Sequence, residues 1–125
     1  MDQNLPRIDE PPVILIRLEG SVTRHEDTDL ELLIGELLGK HCKKFIIDFN
    51  KTEFIDSAGI GLIIKLASMI EKKIGTLVLC HPQSNVRTVF GMLGIDNRFK
   101  IYDDLSEALS GYGRVMRLEI ISVRY

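Results

Sequence analysis

Phe45-Ile46-Ile47-Asp48-Phe49-Asn50-Lys51-Thr52-Glu53-Phe54-Ile55-Asp56-Ser57-Ala58-Gly59-Ile60-Gly61 is the stretch that decides the fold. Phe45 to Phe49 is almost continuously apolar, as expected of a strand buried on both faces. Asn50, Lys51 and Thr52 supply turn chemistry that leads to the Asp56-Ser57 pair. From about Ala58 to Lys73 the period changes. Ile60, Ile63, Ile64, Ala67, Ile70 and Ile74 recur at helical spacing, and Leu62, Leu66 and Met69 widen the stripe. So broad a stripe predicts a helix packed against more than one neighbour. Lys72 and Lys73 suit its negative C-terminal end, and Gly75 stops it.

The same alternation extends outward. Upstream, Val13 to Leu18 reads as a strand ended by Gly20. Leu30, Leu33, Ile34, Leu37 and Leu38 then mark one face of a helix that starts near Asp27 and stops at Gly39. Downstream, Thr76 to Cys80 is a third strand. After His81 and Pro82, a short helix carries Val86, Val89, Phe90 and Leu93, with Gly94 as its C-terminal cap. Phe99 to Tyr102 reads as a weaker strand, and Asp103 or Asp104 caps a last helix through Leu105, Ala108 and Leu109. Strands alternating with helices imply right-handed crossovers. The expected fold class is therefore α/β, a mainly parallel four- to five-stranded sheet flanked by about four helices. Pro6, Pro11 and Pro12 make the start irregular. Residues 1–113 form one domain, and 114–125 form a C-terminal extension whose Val115, Leu118, Ile120, Ile121 and Val123 fit an extra edge strand or a partner-binding tail.

Composition narrows the function classes. The chain has 125 residues, 45% of them apolar and 27% charged, which fits one soluble globular domain with a core of its own. A net charge of −2 gives no basic footprint for nucleic acid. Cys42 and Cys80 lack metal-ligand spacing, and Cys80, closing an apolar run, reads as a small buried hydrophobe. His25, His41 and His81 have no spacing that suits a metal. No phosphate-cradling glycine motif is present, so no cofactor is expected. No window approaches the about 18 apolar residues of a membrane helix, so no membrane insertion is expected. The acidic start with Asp2, Asp9 and Glu10 does not resemble a signal peptide, so the expected setting is reducing and cytoplasmic.

Ser57 is the informative polar residue. It opens the long helix at the carboxyl end of a parallel sheet, where α/β proteins place their working surfaces. Three roles fit a serine there. It can cap the helix, as Ser and Asp commonly do. It can act as a nucleophile with His81, although the first glycine of the nucleophile elbow is replaced by Ile55 and no carboxylate is placed to orient the histidine. It can also receive a phosphate. The added charge, about −1.5 to −2, would sit at a helix N-terminus able to accommodate it, while any partner packed there would meet a bulky dianion.

Ile47-Asp48-Phe49, Phe54-Ile55-Asp56-Ser57-Ala58-Gly59-Ile60-Gly61, Gly75-Thr76-Leu77-Val78-Leu79, Asn85 to Phe90, Leu93-Gly94-Ile95 and Phe99 to Tyr102, in that order, resemble a STAS domain. The resemblance is specifically to the bacterial anti-sigma factor antagonists. Ile16 to Gly20 is similar to the family's earlier strand and turn. The resemblance implies a partner-switching protein, not an enzyme. Its unphosphorylated form would bind an anti-sigma factor that is also a serine kinase, releasing sigma factor to transcribe. A serine phosphatase would reverse the phosphorylation. It also implies that Ser57 is the phosphoacceptor, and that Asp56, Ser57, Ala58, Gly59 and Ile60 form the partner-binding helix start. ATP and magnesium would belong to the kinase. Apart from the resemblance, a tail that contacts another chain would make a homodimer. The alternative is a STAS adaptor subunit of a membrane transport complex, with no phospho-switch. Thr23 stands where the family commonly has Asp.

Overall fold

The sheet is built around β1 (Val13–Val22), a ten-residue strand. The computed structural model describes residues 10–125, so the expectations resting on Asp2, Pro6 and Asp9 lie outside the described residues. After β1 come α1 (Thr28–Gly39), β2 (Lys44–Asp48), β3 (Thr52–Ile55) and α2 (Ser57–Lys72). Then follow β4 (Thr76–Cys80), α3 (Ser84–Met92), α4 (Ile95–Arg98), β5 (Ile101–Tyr102), α5 (Leu105–Gly111) and β6 (Leu118–Arg124). β1 pairs with β2 through Ile14 to Arg17, with β6 through Val13 to Glu19, and with β3 through Gly20 to Val22. β4 follows β2, and β5 follows β4. Every pairing is parallel, as the crossover connections require.

From Val13 to Ile16 β1 is apolar because both of its faces are covered. Ile14, Ile16 and Leu18 join the larger core with Ile34 of α1, Leu66 of α2 and Phe90 of α3. Val13 and Leu15 face the other way, into a smaller cluster with Ile46, Val78, Cys80 and Ala108 of α5. Phe49 and Phe90 meet edge to face at 5.0 Å, tying α3 to the end of β2.

Three expectations need correction. Gly20 does not end the first strand: β1 continues to Val22, with a register shift between Gly20 and Ser21. Gly20 has φ +91, and a Cβ there would collide with the Tyr125 carbonyl group, so only glycine fits. The segment read as a turn contains β3, with Thr52 and Ile55 buried but Glu53 and Phe54 exposed. The weak strand shrinks to Ile101–Tyr102 because α4 occupies the chain just before it. The tail takes the first of its two expected forms, an extra edge strand, lying along β1, and Ile121, Val123 and Tyr125 pack against the larger core. With β3 and β6 included, the described residues hold six strands and five helices.

Candidate functional site at the start of α2

α2 begins where β3 ends, at the carboxyl edge of the sheet. Asp56 has extended backbone, φ −118, and its Oδ1 accepts the Gly59 backbone N–H at 2.9 Å. Asp56 is therefore the helix cap, and its carbonyl takes the Ile60 N–H at 2.9 Å. This removes the capping role that the sequence left open for Ser57. Ser57 is the first helical residue and is exposed; its hydroxyl hydrogen-bonds to no described residue. The first amides of a helix have no partner within it, so those of Ser57 and Ala58 are open to a negative charge.

The helix start is held tightly from beneath. A Cβ on Gly59 would strike the Val22 carbonyl oxygen and lie 2.7 Å from Ile55 Cγ1. Glycine here lets α2 press directly onto the ends of β1 and β3. The Asp56 N–H also donates to the Val22 carbonyl, at 3.4 Å. Of the five residues expected to form the helix start, Ser57 is exposed, Asp56 and Ala58 are partly exposed, and Gly59 and Ile60 are buried. The last two position the surface and do not present it.

Two neighbouring features flank the helix start. Phe54 is 49% exposed on β3, an unusual setting for so large an apolar ring. The loop Thr23 to Glu26 is exposed and passes α2, with His25 Cβ 3.8 Å from where a Gly61 Cβ would stand. Thr23 lies in this loop, exposed. Behind the loop, Asp27 caps α1 through Leu30 N–H at 3.1 Å, and its second oxygen accepts the Tyr125 hydroxyl at 2.7 Å. Phe54 was legible only as part of a motif, since an apolar residue in a strand ordinarily points inward.

The nucleophile reading finds no supporting geometry. The His81 N–H is tied to the Tyr102 carbonyl at 3.0 Å, and its ring hydrogen-bonds to neither Ser57 nor a carboxylate among the described residues. Among the described residues no cluster of three or more His, Cys, Asp or Glu side chains could hold a metal. Cys42 and Cys80 are buried and free, and burial raises both thiols, Cys80 to about 12. Neither has the electropositive, accessible setting of a reactive cysteine. No helix among the described residues is long and apolar enough to cross a membrane.

The parallel sheet with its crossover helices, and the aspartate-capped start of α2 with an exposed serine at its first position, describe an α/β domain whose polar site lies at the carboxyl edge of the sheet. The STAS domain family model matches residues 4–108, and the chain belongs to that family. It is 25% identical over 111 residues to the anti-sigma F factor antagonist of Paenibacillus polymyxa, covering 88% of this chain and 90% of that one. Among solved structures it resembles the anti-sigma factor antagonist SpoIIAA in its unphosphorylated form. There the TM-score is 0.61 at 22% identity, covering 82% of this chain and 90% of the other. SpoIIAA of Bacillus in the phosphorylated form matches with a TM-score of 0.62 at 22% identity, over 85% and 96% of the two chains.

Proposed function

We propose that this chain is an anti-sigma factor antagonist controlled by phosphorylation of Ser57. Unphosphorylated, it binds an anti-sigma factor that is also a serine kinase, and so frees a sigma factor. Phosphorylated, it lets go, and a serine phosphatase restores binding. The chain performs no catalysis itself; ATP and magnesium are held by the kinase.

The observation that carries this reading is the division of labour at the helix start. Asp56 caps α2, so the exposed Ser57 hydroxyl is free for transfer without loss of a structural hydrogen bond. A phosphate on Ser57 would meet the open amides and the positive end of the helix dipole, which keeps the fold intact. Repulsion from the adjacent Asp56 carboxylate works in the opposite direction. A partner seated on Ser57, Ala58 and Phe54 would have to desolvate a dianion, and binding would fail. The named relatives are antagonists of anti-sigma factors, one of them solved in both phosphorylation states, and this supports the same role here.

The test is a pair of substitutions measured against the kinase partner. Ser57→Asp should abolish binding, and Ser57→Ala should bind constitutively, with unfolding midpoints close to the parent. Equal binding by the two variants would contradict the switch and favour an adaptor with no phosphoacceptor.

A further inference from the structure

We propose that the edge of the sheet opposite Ser57 docks onto an anionic lipid surface. This inference does not rest on the Ser57 reading, because a different set of residues carries it. Lys40, Lys43, Lys44, Lys73, Arg114 and Arg117 are six of the chain's 16 lysines and arginines. They gather where α1 and α2 end and where β2 and β6 begin. The structure ties them to one another. Lys43 Nζ donates to the Lys73 carbonyl, and the Arg117 guanidinium donates to the Glu10 carbonyl at the edge of the same region. Lys43, Lys44, Arg114 and Arg117 line one shallow cleft, with His41 on its wall. None of the six forms a salt bridge with a described residue. The acids nearby are Glu10 in the cleft, Glu36 one turn before Lys40, Glu71 two residues before Lys73 but bonded to Arg98, and Glu119 near the start of β6. A chain of net charge −2 thus carries a positive pole.

Charge alone would suit an acidic protein segment as well as a bilayer. The apolar residues in the same region favour lipid. Ile74 directly follows Lys73, is 87% exposed, and has φ +61. A β-branched residue in the left-handed region is strained, and glycine or asparagine is the ordinary occupant after a helix. In water this isoleucine gains no burial to offset the strain. Met116, 46% exposed, lies in the cleft between Arg114 and Arg117. Exposed aliphatic side chains next to lysine and arginine suit the boundary between headgroups and acyl chains, where the charges meet lipid phosphate and the apolar tips leave water. The 16 residues of α2 separate this pole from Ser57 by about 24 Å. A docked molecule would therefore present Ser57 to solvent.

The test is sedimentation of the full chain with vesicles of equal parts phosphatidylcholine and phosphatidylglycerol, compared with phosphatidylcholine alone. Binding to the anionic vesicles at low salt and release at high salt are expected, with none to the neutral ones. Lys40, Lys73 and Arg114 make no side-chain hydrogen bond to a described residue. The combined variant Lys40→Gln, Lys73→Gln, Arg114→Gln should therefore fold normally and bind about 100-fold more weakly. Ile74→Gly relieves the backbone strain, so it should unfold at an equal or higher temperature and yet bind severalfold more weakly. Absence of binding to anionic vesicles would overturn the proposal, as would binding unchanged in either variant. Capture by poly-glutamate in place of vesicles would also overturn it and assign the pole to an acidic protein segment.

Discussion

Asp56 and Gly59 are joined by a 2.9 Å hydrogen bond from the Gly59 backbone N–H to Asp56 Oδ1, and this bond frees Ser57 from any structural duty. A serine that capped the helix would lose that bond on phosphorylation. Here the acid beside it holds the helix, and the hydroxyl can change its chemistry while the fold stays as it is.

Asp56→Ala should therefore destabilise the domain by about 1 kcal/mol through loss of the cap, whereas Asp56→Asn should retain most of the stability. Urea unfolding with an unchanged denaturant slope measures the difference.

Two helical glycines should respond in opposite directions. Gly59→Ala places a methyl against the Val22 carbonyl and Ile55, and should cost about 1–3 kcal/mol despite alanine's better helix propensity. Gly35, in the exposed middle of α1, has nothing within 4 Å of the place a Cβ would take. Gly35→Ala should stabilise by about 0.5–1 kcal/mol. Thermal unfolding of the two variants side by side checks both signs.

The tail is part of the sheet. Removing residues 114–125 strips β1 of its β6 pairing and uncovers the core beneath Ile121, Val123 and Tyr125. The truncated chain should lose several kcal/mol of stability on the scale of burying those side chains. Tyr125→Phe, which deletes only the hydroxyl that Asp27 accepts at 2.7 Å, should cost about 1.5–3 kcal/mol. Unchanged stability after truncation would contradict the structural role given to β6.

Stability should fall at alkaline pH for a reason visible in the same region. Burial, reinforced by the hydrogen bond to Asp27, raises Tyr125 above its ordinary value of 10.0, and burial also raises Tyr112. Cys80 is likewise raised from 9.0 to about 12 by burial. These groups bind their protons more tightly in the folded state. The stability they contribute is complete below the unfolded values, begins to fall near pH 9 and declines further above pH 10. Denaturant midpoints across that range should show the decline, with a shallower slope above pH 10 in Tyr125→Phe.

The sequence reveals α2 most clearly, because its apolar stripe runs for four turns and is bounded by Asp56 and Gly75. The helix caps Asp27 and Asp104 are legible for the same local reason. β3 was hidden by its turn-forming start and by Glu53 and Phe54, which break the expected alternation by both facing outward. The role of Gly20 depends on Tyr125, more than 100 positions away, and no local pattern reports so distant a contact. At the site, the position of Ser57 after an acid was legible. That Gly59 and Ile60 are buried follows only from the packing of α2 on Val22 and Ile55.

The most direct measurement is intact-mass spectrometry of the protein after incubation with ATP, magnesium and the kinase-type anti-sigma factors of its own genome. A single added phosphate is expected with the cognate kinase, and none on Ser57→Ala. No phosphate with any of those kinases, or a phosphate that persists in Ser57→Ala, would contradict the switch.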